Sequence, residues 1–205
     1  MTISERRQRE TQQRRRTILA AARDLFGRQG FAATTIEQVA ARAELAQGTI
    51  YLYFPSKHAL YVELLIEGFD TLREHLLTAA AGPGQPRPRA AAVIDAFYNF
   101  ARSNPAHFDI LFFVLQRESV AAWRGKLPDD LLARLAEKED ACKQIAAAFL
   151  QQAHYAPDES LPATIEAAWA MLAGVIFYLR DDDLFPQAAQ AARQLLLNAI
   201  FGRQE

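Results

Sequence analysis

The sequence predicts an all-α protein. A three-helix domain of the helix-turn-helix kind comes first and a larger helical domain follows, with about nine helices in total. Three observations carry this. Ala and Leu dominate, while Gly and Pro number only nine each among 205 residues, a composition that favours helices. Apolar residues recur at helical spacing, and no segment sustains the period-two alternation of a strand. Between Thr34 and Lys57, two short amphipathic stretches flank a four-residue turn, Ala43 to Ala46, the order of a helix-turn-helix.

Taken from the N-terminus, residues 1–12 lack apolar periodicity and read as a mobile arm. Six Arg fall between Arg6 and Arg16. Arg14 and Arg16 are candidates to pair with phosphates or enter a minor groove; the competing reading is a solvated tail. The first helix is expected from about Arg14 to Arg28, with Ile18, Ala21, Ala22, Leu25 and Phe26 on one face and Gly30 ending it. Thr35 with Gln38 fits a capping box for the second helix, as does Thr34 with Glu37 one residue earlier. Ile36, Val39 and Ala40 form its apolar face. The third helix, Gln47 to Phe54, buries Ile50 and Phe54. Its other positions, Gln47, Gly48, Thr49, Tyr51 and Tyr53, are small, amide, hydroxyl or phenolic and carry no negative charge. Such a surface can lie against a polyanion and bond to phosphates and base edges.

Pro55 breaks the chain and Ser56 caps a fourth helix that runs to about Ala81. Lys57 sits in its first turn, where a cation opposes the helix dipole unless an anion is near. Residues 82–88, with three Pro and two Gly, read as a loop. Five further helices follow: Ala90 to Arg102; one opened by Asn104 and Pro105; one from Pro128 to His154; one from Ser160 to Arg180; and one from Pro186 to Gly202.

Charge is divided unevenly. Residues 1–57 hold ten Lys/Arg and five Asp/Glu, a net of +5, so the remaining 13 basic and 19 acidic residues give −6. A basic head on an acidic body is what a polyanion-binding head with a solvated or regulatory body would show. The plainer reading is chance fluctuation of charge, and double-stranded DNA enters as the partner with the resemblance given below. The single Cys142 gives no reason to expect an oxidising compartment. No signal peptide or stretch of ~20 consecutive apolar residues is present, so a cytoplasmic protein without a membrane partner is expected. No catalytic motif, no cofactor loop and no metal-ligand spacing occurs. Asp181–Asp183 read as a solvated turn.

Residues 97–123 contain seven aromatics. Phe97, Phe100, His107, Phe112, Phe113, Gln116 and Trp123, together with Trp169, are candidates to line a small-molecule site between helices. An aromatic-rich core is the plainer reading. The last two helices carry small and apolar residues on more than one face. Trp169, Ile176, Phe177, Ala192, Leu195, Leu196 and Ala199 are candidates for a homodimer interface.

The segment from Ile18 to Ala40, then Gly48-Thr49-Ile50-Tyr51, Tyr53-Phe54 and Lys57 followed by Leu60, resembles the DNA-binding domain of TetR-family transcriptional regulators. The resemblance implies a DNA-binding domain over residues 1–57 and an effector-binding and dimerisation domain over 58–205. It also implies a fourth helix that swings when effector binds, and dimerisation through the last two helices. The expected activity is that of a ligand-responsive regulator, a repressor releasing a palindromic operator when a small apolar or aromatic effector binds. Gln47, Thr49 and Tyr51 would meet base edges, Thr35, Tyr53 and Lys57 phosphates, and Gly48 would permit close approach. The alternative is an all-helical small-molecule-binding protein or enzyme with the aromatic cluster as its site. Two residues depart from the family pattern. Glu44 stands where Gly is usual, in a turn that favours the left-handed region. Ala46 stands where a Ser or Thr would cap the recognition helix.

Overall fold

The computed structural model describes residues 2–112, 123, 125–153 and 161–202. Among them the chain forms nine helices and no strand: α1 (Ile3–Ala33), α2 (Ile36–Arg42), α3 (Gln47–Tyr53), α4 (Lys57–Ala80), α5 (Pro86–Ser103), α6 (Pro105–Phe112), α7 (Asp129–Gln152), α8 (Leu161–Leu179) and α9 (Phe185–Phe201). The chain divides into two compact units, Met1–Gly68 with Ala106–Ala136, and Phe69–Pro105 with Glu137–Glu205.

The first unit begins with a longer helix than expected. Instead of a mobile arm, α1 starts at Ile3. Thr2 Oγ1 accepts from Glu5 N–H at 3.3 Å and Glu5 Oε2 accepts from Thr2 N–H at 2.7 Å, a reciprocal capping box. Arg and Gln are good helix formers, so the segment is helical without an apolar face to announce it. At Gly30 the helix breaks with φ 79° and ψ 169°, a conformation that strains residues bearing a Cβ. Thr34, fully buried, then donates through Oγ1 to the Gly30 carbonyl at 2.8 Å.

The next cap settles the two registers in favour of Thr35. Its Oγ1 accepts from Gln38 N–H, and Gln38 Oε1 accepts from Thr35 N–H at 2.9 Å. Ile36, Val39 and Ala40 are buried as expected. After α2 the chain makes a Schellman turn: Leu45 N–H donates to Ala40 O at 2.9 Å and Glu44 N–H to Ala41 O at 3.2 Å. The residue carrying the left-handed conformation is Glu44, at φ 56°. Ala46 precedes α3 and makes no side-chain cap. The recognition helix is therefore held by burial: Ile50 and Phe54 are at most 1% exposed, as are Ile18, Ala22 and Phe26 of α1 and Val39 of α2.

Ser56 Oγ caps α4 by accepting from Ala59 N–H at 3.0 Å. Beside it, the Lys57 ammonium turns back to the corner between α1 and α2. It donates to the carbonyls of Phe31 and Thr34, both at 2.9 Å, and lies 4.4 Å above the Phe31 ring. The carbonyl dipoles and the ring face offset the unfavourable dipole at its own helix start.

α6 belongs to this unit from Ala106 onward. The buried Tyr61 hydroxyl donates to Ile110 O at 2.6 Å, satisfying a carbonyl in the last turn of α6. Burial pushes the Tyr61 phenol well above its ordinary range. Leu111 sits where a Cβ on Gly68 would come within 3.0 Å of it, so α4 and α6 approach through the missing side chain. His107 Nε2 stands 2.6 Å from Arg23 Nη1, and Arg23 also reaches Glu67 at 3.2 Å. The His107 imidazole and the Arg23 guanidinium hold the Glu67 carboxyl below its ordinary range, against the opposing effect of burial.

In the second unit, α5 packs on α8 and α9, and α8 on α9. The proline-rich segment is shorter as a loop than its composition suggests. α5 starts at Pro86, because the first turn of a helix has no use for the N–H groups that Pro86 and Pro88 lack. Arg87 reaches the far end of α9, donating to Leu197 O at 3.1 Å, Gly202 O at 2.6 Å and Asn198 Oδ1 at 2.8 Å. Lys143 of α7 pairs with Glu139 and with Glu166 of α8. α9 opens with Pro near its N-terminus, one residue earlier than the sequence suggested. Asp182 Oδ1 accepts from Leu184 N–H at 2.7 Å, which makes the Asp181–Asp183 run a side-chain-braced turn.

Two stability changes follow from these caps. Glu44→Gly is expected to stabilise the fold by about 0.5–1 kcal/mol, by relieving the left-handed conformation less the added unfolded-chain entropy; urea unfolding reads it as a higher midpoint at constant slope. Lys57→Ala leaves the carbonyls of Phe31 and Thr34 without their charged donor and is expected to cost about 1–2 kcal/mol. An unchanged midpoint would show that the clamp contributes nothing to stability.

Candidate nucleic-acid interface and effector cavity

α3 presents two different sides. Ile50 is fully buried, while Gln47, Gly48, Tyr51 and Leu52 are exposed and Thr49 and Tyr53 are half-buried. No acidic residue lies on this helix. Nothing stands within 4 Å of a Cβ built on Gly48, so the fold itself makes no demand for glycine there. Thr35 is exposed at the N-terminus of α2, its Oγ1 already accepting in the capping box but its proton free to be donated. Lys57 is half-buried with two of its donors on the corner carbonyls.

The Arg-rich segment lies on the N-terminal half of α1. Arg14 and Arg16 are exposed, whereas Arg15 is drawn inward to pair with Glu63 and lies 4.9 Å above the Phe54 ring. Arg9, Gln13, Arg16 and Thr17 share a shallow groove with Leu45 of the turn between α2 and α3. Arg42 of α2 pairs with Asp24, which also holds Arg28. The helical arm thus brings Arg9, Arg14 and Arg16, with Glu10, to the groove beside the turn.

The second unit contains an apolar cavity of about 110 Å³. Its walls come from Leu76 of α4, Val93, Ile94 and Phe97 of α5, Cys142, Ala146 and Phe149 of α7, Ile165, Ala168 and Trp169 of α8, and Leu196, Ala199 and Ile200 of α9. The lining residues with a polar side-chain atom are Thr164, Cys142 and Trp169, whose indole N–H is a donor. Cys142 Sγ donates to Phe69 O at 3.4 Å, and burial pushes the thiol up to about 12, so it is neutral. No charged side chain lines the cavity, so an ionised group inside would lie unpaired.

Of the residues singled out for an effector site, Phe97 and Trp169 line this cavity, their rings 5.7 Å apart and edge to face. Phe100 is fully buried against His75, 5.7 Å away. His107 stands in the Arg23–Glu67 cluster, and Phe112 packs on Phe108. Trp123 belongs to an aromatic group with Phe31, His58 and Tyr61 in the first unit. Phe113 and Gln116 lie outside the described residues. Apart from Trp169, the α7, α8 and α9 walls carry no sequence signal beyond apolar helical spacing, which is why the sequence did not single them out for an effector site. Among the described residues, no group of three or more His, Cys, Asp or Glu is placed to hold a metal ion.

Of the candidate interface residues, Ile176 and Ala192 are buried within the chain, and Trp169 and Leu196 are turned to the cavity. Phe177, Leu195 and Ala199 are exposed. Tyr178 and Leu184 are exposed near them in sequence. α8 is long and apolar enough to cross a membrane by length and composition, and only 28% of it is buried within the chain. Its apolar stretch is interrupted at the start by Pro162, Thr164 and Glu166.

Residues 18–64 match the model of the family described as bacterial regulatory proteins, tetR family. The transcriptional repressor KstR of Mycolicibacterium smegmatis is 32% identical over 127 residues, 60% of this chain and 62% of that one. The transcriptional activator FasR of the same organism is 28% identical over 100 residues, 49% of this chain and 46% of that one. The chain thus spans about half the length of these curated relatives. The crystal structure of FadR from Bacillus subtilis, in complex with stearoyl-CoA, superposes with a TM-score of 0.70 at 17% identity, covering 90% of this chain and 98% of that one; at that identity it speaks for the fold alone. Residues 18–64 thus carry the helix-turn-helix segment of the tetR family of bacterial regulatory proteins, and the chain as a whole shares the all-helical fold of FadR.

Proposed function

We propose that the chain is a ligand-responsive, DNA-binding transcriptional regulator acting as a cytoplasmic homodimer, and that it represses by holding a palindromic operator until a small apolar effector releases it. The observation that carries the DNA-binding half is the outward side of α3. It offers amide, hydroxyl and phenol groups beside a glycine that the fold does not require. Gln47, Thr49 and Tyr51 face base edges in the major groove. Gly48 lets the groove edge approach the helix backbone. Thr35 and Tyr53 donate to phosphates. Lys57 adds positive charge there while its donors stay on the corner carbonyls, and Arg14 and Arg16 extend the phosphate contacts along α1. Residues 1–57 serve the DNA and residues 58–205 the effector and the partner subunit.

The effector half rests on the apolar cavity with Phe97 and Trp169 in its wall. A hydrocarbon or aromatic group fits such a lining, and any charged portion of the effector must remain outside it. The stearoyl-CoA bound by FadR is of that make-up, an apolar chain on a charged head. The dimer half rests on the exposed Phe177, Tyr178 and Leu195 on α8 and α9. Repression is taken over activation by analogy with KstR.

A mobility-shift titration with the DNA upstream of its own gene, at stated salt, tests the whole reading; absence of a sequence-preferring shift sinks it. Gly48→Ala separates folding from binding. It is expected to stabilise the protein by about 0.5–1 kcal/mol, as alanine replaces glycine in a helix, yet to weaken operator binding by about tenfold or more. Ala146→Leu fills the cavity and is expected to keep DNA binding while abolishing release by hydrophobic compounds. If a panel of such compounds neither raises the melting temperature of the wild type nor releases DNA, the cavity is not the effector site.

A further inference from the structure

In the unit that carries α1–α3, only two large apolar side chains among the described residues are exposed, Tyr51 and Leu52, adjacent on α3. Tyr51 has a phenol to offer. Leu52 has no polar atom and is 84% exposed, the most exposed large apolar side chain among the described residues. It lies two residues beyond the fully buried Ile50, about 200° round the helix, and therefore opposite the core. Gly48 is four residues earlier, one turn away on the same side, and a Cβ there would meet nothing. The outermost strip of α3 is thus an isobutyl group beside a turn with no side chain. Arg, Gln or Lys would be the ordinary occupant of so exposed a helical position. The fold gives Leu52 nothing to pack on.

We propose that Leu52 is a specificity residue that reads thymine, its isobutyl group packing on the C5 methyl of one thymine in each half-site. The inference rests on the DNA-binding reading above and adds to it the one base contact that needs no hydrogen bond. In the major groove only thymine, among the four bases, presents an apolar group; the other edges are donors and acceptors that a leucine cannot satisfy. Gly48 lets the helix settle deep enough for a side chain as short as leucine's to reach the base edge. The positive charge of the first 57 residues supplies the attraction to the phosphates that holds it there.

The test uses the full-length protein. A preferred duplex is selected from a random library, then resynthesised with deoxyuridine replacing each half-site thymine in turn, which removes only the methyl group. Affinities of wild type and Leu52→Ala are measured by fluorescence anisotropy at fixed salt. At one position uracil is expected to weaken wild-type binding about fourfold per half-site, the effect of burying one methyl, and Leu52→Ala is expected to be insensitive at that position. Wild-type binding that is equal on every uracil-substituted duplex overturns the proposal and leaves DNA binding standing. So does a Leu52→Ala protein that retains the full uracil effect. A chain that selects no duplex at all overturns the DNA-binding reading, and this proposal with it. Because Leu52 is 84% exposed, an unchanged melting temperature of Leu52→Ala is expected; a large drop would assign the residue to the fold and count against the proposal.

Discussion

The corner between α1 and α2 depends on one ammonium group. α1 ends after a glycine break, which leaves at the corner the carbonyls of Thr34 and of Phe31, the latter also accepting from Thr34 N–H at 3.3 Å. Lys57, 23 residues beyond Thr34, collects both. Thr34 and Thr35 are adjacent, so fixing the first fixes where the second begins α2. The register of α2 sets the Schellman turn, and the turn sets the direction of α3. A helix of seven residues with no cap of its own is marginal in water. Its orientation is therefore decided by the corner and by the burial of Ile50 and Phe54. The cost of a cation at the start of α4 is accepted because the same cation closes the corner.

Much of the head is legible in the sequence because its determinants are local. The Thr35–Gln38 box, the left-handed Glu44, the uncapped Ala46 and the Ser56 cap each lie within a few residues of what they control. The helical start of α1 is local as well, and Thr2 with Glu5 carries the box pattern. It escapes a reading by apolar periodicity because an exposed helix of Arg and Gln has none. The role of Lys57 in the fold is not legible, since its partners lie 23 and 26 residues away and are backbone carbonyls, which carry no residue-type signal.

The body is legible as helices but not as a site. Aromatic content drew attention to residues 97–123, yet one helix face cannot tell which ring meets a cavity and which meets a neighbour. Phe100 and Phe97 stand three residues apart, and one is core while the other is wall. The remaining walls are Ala, Leu and Ile of α7, α8 and α9, whose side chains read the same whether they pack on protein or on an empty volume. Only the packing of whole helices decides that, and a cavity is a shortfall in packing.

The placement of the two tryptophans has a practical meaning. Trp123 meets His58 edge to face and lies tilted against Phe31 beside the corner that sets the recognition helix, and Trp169 forms part of the cavity wall. With no other indole in the chain, each compact unit carries one native chromophore. Replacing either by phenylalanine leaves a protein whose ultraviolet emission reports from a single known place, so the timing of events in the two units is open to spectroscopy without attaching any dye.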